Sequence, residues 1–170
     1  PQSGPGAVPL PPNLFPHKDQ QSYWQSPLPE GARSGWGGRL GDLFAAGNGN
    51  ATFTCISVSG NAVYLSGQSA VQYQVGSGGA IAVNGIRNPL FGSAACSTAL
   101  GNLVTQPRAH LLENEYATVT RRSVESNEQL AGALAGVTLP TVFPTGGLGD
   151  QLRLVARLIA ARNGLGARGH

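Results

Sequence analysis

Between Phe15 and Ser26 the chain sets one histidine, one carboxylate, three glutamines and, besides Phe15, the two large aromatics Tyr23 and Trp24 within a dozen positions: Phe15-Pro16-His17-Lys18-Asp19-Gln20-Gln21-Ser22-Tyr23-Trp24-Gln25-Ser26. His17 and Asp19 are of the types that exchange protons or hold cations, and Gln20 beside them can both donate and accept hydrogen bonds. Tyr23 and Trp24 offer flat apolar walls. His17, Asp19 and Gln20 are therefore the candidate catalytic residues, and Tyr23 and Trp24 the candidate substrate-binding ones. Polar side chains this dense at a loop-to-helix junction are often functional. A plainer reading is an ordinary helix start, with Asp19 near the N-terminus and Tyr23 and Trp24 reaching into a core.

Little else in the chain could do chemistry. It has no Gly-x-Ser-x-Gly elbow, no phosphate loop, no Cys-x-x-Cys and no His-Glu-x-x-His. Of three histidines, His170 is the last residue and His110 lies three positions before Glu113. A metal site needs a third ligand, and none is near, so His110 reads as the exposed start of a helix. Cys55 and Cys96 fit no zinc spacing; a disulfide between them would need an oxidising compartment, and unpaired cysteines are commonly just buried. No metal ligand is assigned, and His17 and Asp19 need partners from outside this 170-residue segment to make a site.

The elements that must position these residues come from a chain unusually poor in charge. Charged residues make up 11% of 170, against roughly 25% in ordinary soluble domains, while 25 glycines and 12 prolines accompany 41% hydrophobics. That balance predicts long loops and much internal backbone rather than disorder, as in a segment of something larger. Eleven basic and eight acidic residues are scattered without a basic stripe, which argues against a nucleic-acid partner. No apolar run is long enough to span a bilayer, and these residues show no signal-peptide pattern, which says nothing about the compartment.

Five prolines make residues 1–14 extended coil. Positions 15–46 hold the polar motif, with a helix over 18–25, and a glycine-rich helix at 36–44 whose apolar residues Trp36, Leu40, Leu43 and Phe44 fall at helical spacing. Its glycines weaken it alone but allow its backbone to approach a neighbour closely. Positions 51–83 read as strands: one at 51–58, an extended stretch at 63–65, and a small hairpin of 71–75 with 81–83. Asn50-Ala51-Thr52 is formally a glycosylation sequon, better read as turn chemistry. Positions 93–162 read as helices: 93–104 after an N-cap Ser93, 108–134 with an apolar series from Leu111 and Leu112 through Tyr116 to Leu130 and Leu134, and 150–162 capped by Asp150.

Several blocks together resemble a family. Leu14–Ser26, Gly35-Trp36-Gly37-Gly38-Arg39-Leu40, Ile56-Ser57-Val58-Ser59-Gly60-Asn61, Phe91-Gly92-Ser93-Ala94-Ala95-Cys96, Glu115-Tyr116-Ala117 and Val155–Arg162 are similar, in order, to blocks of a family of exported bacterial proteins, domain of unknown function 1501. The resemblance implies an alkaline-phosphatase/sulfatase-like α/β/α sandwich, of which this chain would be a central, helix-dominated α/β fragment with a short hairpin. It further implies twin-arginine export to the periplasm, with most metal ligands on Asp and His motifs outside this segment. A divalent metal would thus bind only with those flanking parts, which become the implied partners. Many relatives have serine where this chain has Pro16; if that serine is the nucleophile, Pro16 cannot replace it.

The resemblance therefore leaves two functions open. One is part of a metal-dependent hydrolase-like protein for phosphoric or sulfuric esters, inactive as this fragment, with His17 and Asp19 next to metal or substrate. The other is a non-catalytic envelope protein that binds a partner or polysaccharide. Pro16 favours the second reading and the His17-x-Asp19-Gln20 block the first.

Overall fold

Pro16 has no N–H to lose and an extended backbone, and helix α1 (His17–Gln25) begins directly after it. The structure, a computed structural model, describes residues 15–26, 28, 31–60, 62–81 and 83–167; the coil expected over 1–14 and His170 lie outside them. Ser26 closes α1. Its N–H and hydroxyl both donate to the Ser22 carbonyl at 2.8 Å, and its side chain is fully buried. The chain divides into two compact units, one comprising residues 1–57 and 61–73, the other residues 58–60 and 74–170.

In the first unit α2 (Trp36–Phe44) forms over the residues its spacing predicts. It turns its glycines inward: Gly37, Gly38 and Gly41 are buried, whereas Leu43 is 75% exposed and Trp36, Leu40 and Phe44 are also exposed. The buried face gains backbone proximity that no side chain would allow. Gly35 donates its N–H to the Ser66 carbonyl at 2.8 Å, and a Cβ at Gly38 would overlap the backbone at Ser66 and Gly67. At Gly41 a Cβ would strike the Cys55 sulfur. Asp42, on the same helix, accepts the N–H groups of Gln68, Ser69 and Ala70 at 2.7, 2.8 and 2.6 Å. Those bonds, led by the one from Ala70, hold its carboxyl below the usual carboxylate value.

The strand expected over 51–58 is much shorter. Ala51–Phe53 is a 3-10 turn, because the Asn50 side chain accepts the Thr52 N–H at 3.0 Å and curls the chain. Only β1 (Ile56–Ser57) remains extended, and it pairs in parallel with β2 (Tyr73–Gln74). The Tyr73 N–H donates to the Cys55 carbonyl at 2.8 Å, and the Phe53 and Tyr73 rings meet edge-on at 5.2 Å. The extended stretch expected at 63–65 is likewise a 3-10 turn, Val63–Leu65, lying against α2. The expected hairpin reduces to a Gly76–Gly79 bridge across a tight turn; Ile81 and Val83 join no strand, and Ala82 lies outside the described residues. Both thiols are free: Cys55 is buried and Cys96 exposed.

The second unit is built from helices. Ser93 caps α3 (Ala94–Thr105) as expected, its hydroxyl accepting the Cys96 N–H at 3.4 Å. Just before it Phe91 takes a left-handed φ of 52°. Helix α4 (Leu111–Ala135) starts three residues later than its pattern suggests: His110 ahead of it is still extended, and the Arg108 N–H is accepted by the Asn114 side chain. Helix α5 (Gly147–Ala160) starts three residues earlier than expected. Asp150 does not cap it from outside but reaches back from within the first turn to accept the Gly146 N–H at 3.1 Å. Leu130 and Leu134 of α4 and Leu154 and Leu158 of α5 are buried, and Arg157 ties the two helices by donating to the Leu134 carbonyl at 3.0 Å. The remaining apolar positions are not all covered: Leu111, Leu112 and Tyr116 of α4 are exposed, and Ile159 of α5 is 60% exposed. The described chain is thus helix-dominated with a small parallel sheet, α/β in class. Among the described residues no helix is long and apolar enough to cross a membrane.

Candidate functional site

Helical geometry decides which residues of the opening motif can act together. Positions 17, 20, 21, 24 and 25 are spaced by three, four, seven and eight, so they share one face of α1. His17, Gln20, Gln21, Trp24 and Gln25 accordingly line an open hollow of about 330 Å³. Asp19 follows His17 by two residues, which is roughly 200° around the helix axis. It is only 7% exposed and does not border the hollow, so His17 and Asp19, close in sequence, do not share it. In the first turn its charge instead suits the positive end of the helix dipole. Tyr23 is half-buried and also lies off the hollow.

Trp24 is held from behind. Its carbonyl accepts the Trp36 indole N–H at 2.9 Å. Its ring meets Trp36 edge-on at 5.8 Å and lies tilted against Tyr64 at 5.6 Å. Trp36 and Tyr64 close the triangle at 4.6 Å, with the Tyr64 ring in the space that a side chain at Gly37 would need. The indole of Trp24 nonetheless remains 66% exposed. It is a braced platform at the surface rather than a buried floor. Tyr64 was invisible as a site residue from the sequence: it stands 40 positions from Trp24, in a turn with no motif of its own.

The site's charge is as informative as its shape. The residues lining the hollow carry one imidazole and three primary amides, and no carboxylate, ammonium or guanidinium. Among the described residues no group of three or more His, Cys, Asp or Glu side chains is placed to hold a metal ion. His110 is the exposed N-cap residue of α4, as its sequence context suggests.

A second concavity, of about 590 Å³, lies between α3 and α4. Leu103, Val104, Leu112 and Tyr116 line it with Arg108 and Glu113. Arg108 is spent on structure, donating to the Leu103 carbonyl at 2.8 Å. No family model matches the chain, and neither a curated protein nor a solved structure matches it.

Proposed function

We propose that this chain is the central part of an exported, periplasmic protein on an alkaline-phosphatase/sulfatase-like scaffold, in which the outer face of α1 forms one wall of the substrate site. The family resemblance of the sequence blocks supports the scaffold. One structural observation supports the wall: five side chains of the opening motif converge on a hollow beside a braced, exposed indole. Phosphoric or sulfuric ester hydrolysis would need a metal and a nucleophile from flanking parts of the protein, so the 170-residue chain is inactive by itself.

A second reading, a non-catalytic envelope protein that binds a partner or polysaccharide, draws support from Pro16 at the position of the relatives' serine. Aryl phosphate and aryl sulfate assays with added zinc, manganese or calcium separate the two. The first reading expects turnover by the full open reading frame, a raised KM in its His17→Ala variant, and none by the 170-residue chain. A full-length protein inert under all these conditions leaves the binding reading. Metal held near one equivalent by the 170-residue chain after dialysis would overturn the assignment of the ligands to flanking parts.

A further inference from the structure

We infer that the hollow on α1 takes a neutral, polyhydroxylated ring, one stretch of an uncharged glycan, with Trp24 beneath the ring and the amides of Gln21 and Gln25 on its hydroxyls. The inference rests on reading α1 as the wall of a binding site, and it concerns what that wall recognises.

The chemistry of the lining selects the ligand. A sugar hydroxyl both donates and accepts, and so does each primary amide, so glutamines match vicinal hydroxyls without needing a charge. Gln21 and Gln25 stand one turn apart, about 5–6 Å between Cβ atoms, close to the width of a sugar ring. The Trp24 indole is exposed and fixed by Trp36 and Tyr64, so it loses little freedom when the apolar C–H face of a ring settles on it. A phosphate or sulfate group would meet no ammonium or guanidinium in the hollow, since Lys18 lies off the lining, no arginine is there and the His17 imidazole is its single ionisable side chain. A purely apolar ligand would offer the Gln21 and Gln25 amides no hydrogen-bonding group. A volume of about 330 Å³ stands at the small end of ligand sites, which suits a short stretch of polymer.

The test titrates the 170-residue chain with neutral hexasaccharides of glucose, mannose, xylose and galactose, and with dextran sulfate as the charged control, reading tryptophan emission and heat. Saturable binding of at least one neutral hexasaccharide is expected. Trp24→Ala should weaken it by about tenfold or more, and the double variant Gln21→Ala/Gln25→Ala by about tenfold. The double variant removes only side chains on the helix surface, so it keeps the test decisive if Trp24→Ala disturbs the aromatic cluster. Three results would each overturn the inference: no saturation by any neutral sugar, tighter binding of dextran sulfate, or unchanged affinity in the double variant. A full-length protein without hydrolase activity would count against the scaffold's chemistry and leave this titration untouched.

Discussion

The two units pack their helices by opposite means. In the first, α2 presents glycine to its neighbours, and backbone meets backbone under a carboxylate clamp. In the second, α4 and α5 bury leucines, and side chains fill the space between backbones. The glycine interface gains close approach and several hydrogen bonds but tolerates no added atom. The leucine interface tolerates change in proportion to the volume altered. The same glycine-to-alanine substitution should therefore have opposite signs in the two units.

The largest effect is expected at Gly38. An alanine there overlaps the backbone at Ser66 and Gly67, which cannot yield as a flexible side chain would. A loss of about 3 kcal/mol or more is expected, read as a drop in the urea midpoint together with loss of the Trp36–Tyr64 contact. Retention of the parent midpoint would show that the close approach is incidental. Next comes Leu154→Ala on the leucine side, where a nearly inaccessible side chain leaves a cavity and about 2–4 kcal/mol should be lost. Calorimetry should detect it as a lower melting temperature, and partial refilling by Leu→Met should distinguish volume from shape.

A smaller, pH-dependent effect belongs to Asp42. Its carboxyl is held below the ordinary value, so its contribution is complete above about pH 4 and fades as pH falls through the lowered folded-state value. Asp42→Asn keeps one acceptor but loses the charge and the second carboxylate oxygen. The stability gap between parent and variant should be widest near neutrality and close in acid, in urea titrations across that range. A gap that does not change with pH would assign the clamp to geometry rather than charge. The smallest effect is Gly132→Ala. This glycine of α4 has open space where its Cβ would sit, so the variant should gain about 0.5–1 kcal/mol of helix stability. A loss there would end the contrast between the units.

Those outcomes also bear on what the sequence made legible. Helix α2 was readable because its apolar spacing is regular, and its glycines allowed for a close backbone approach, but the spacing did not show that the glycine face is buried and the apolar residues exposed. The strand over 51–58 was not, because one side chain, Asn50, redirects the backbone where β-branched composition favours extension. In α4 the pattern from Leu111 to Leu134 correctly gives a helix. Periodicity reports which face is apolar, however, and not what covers it, so Leu111, Leu112 and Tyr116 came out exposed. At the site, the shared face of Gln20 with Trp24 and of Gln21 with Gln25 was readable from four-residue spacing. His17 and Asp19 do not share that hollow, because nearness along a helix is not nearness in direction. Tyr64 carried no local signal; only the fold brings it under Trp24.

The interior placement of Cys55 makes the molecule its own stopwatch. Burial, and secondarily the negative charge of Asp42, push this thiol's pKa up, so an alkylating reagent reaches it as a reactive thiolate only when the surrounding structure opens. Cys96, exposed on α3, needs no such opening. A single labelling time course on the unmodified chain therefore contains a fast phase that counts molecules and a slow phase that times the opening of the glycine-lined unit, with no engineered probe.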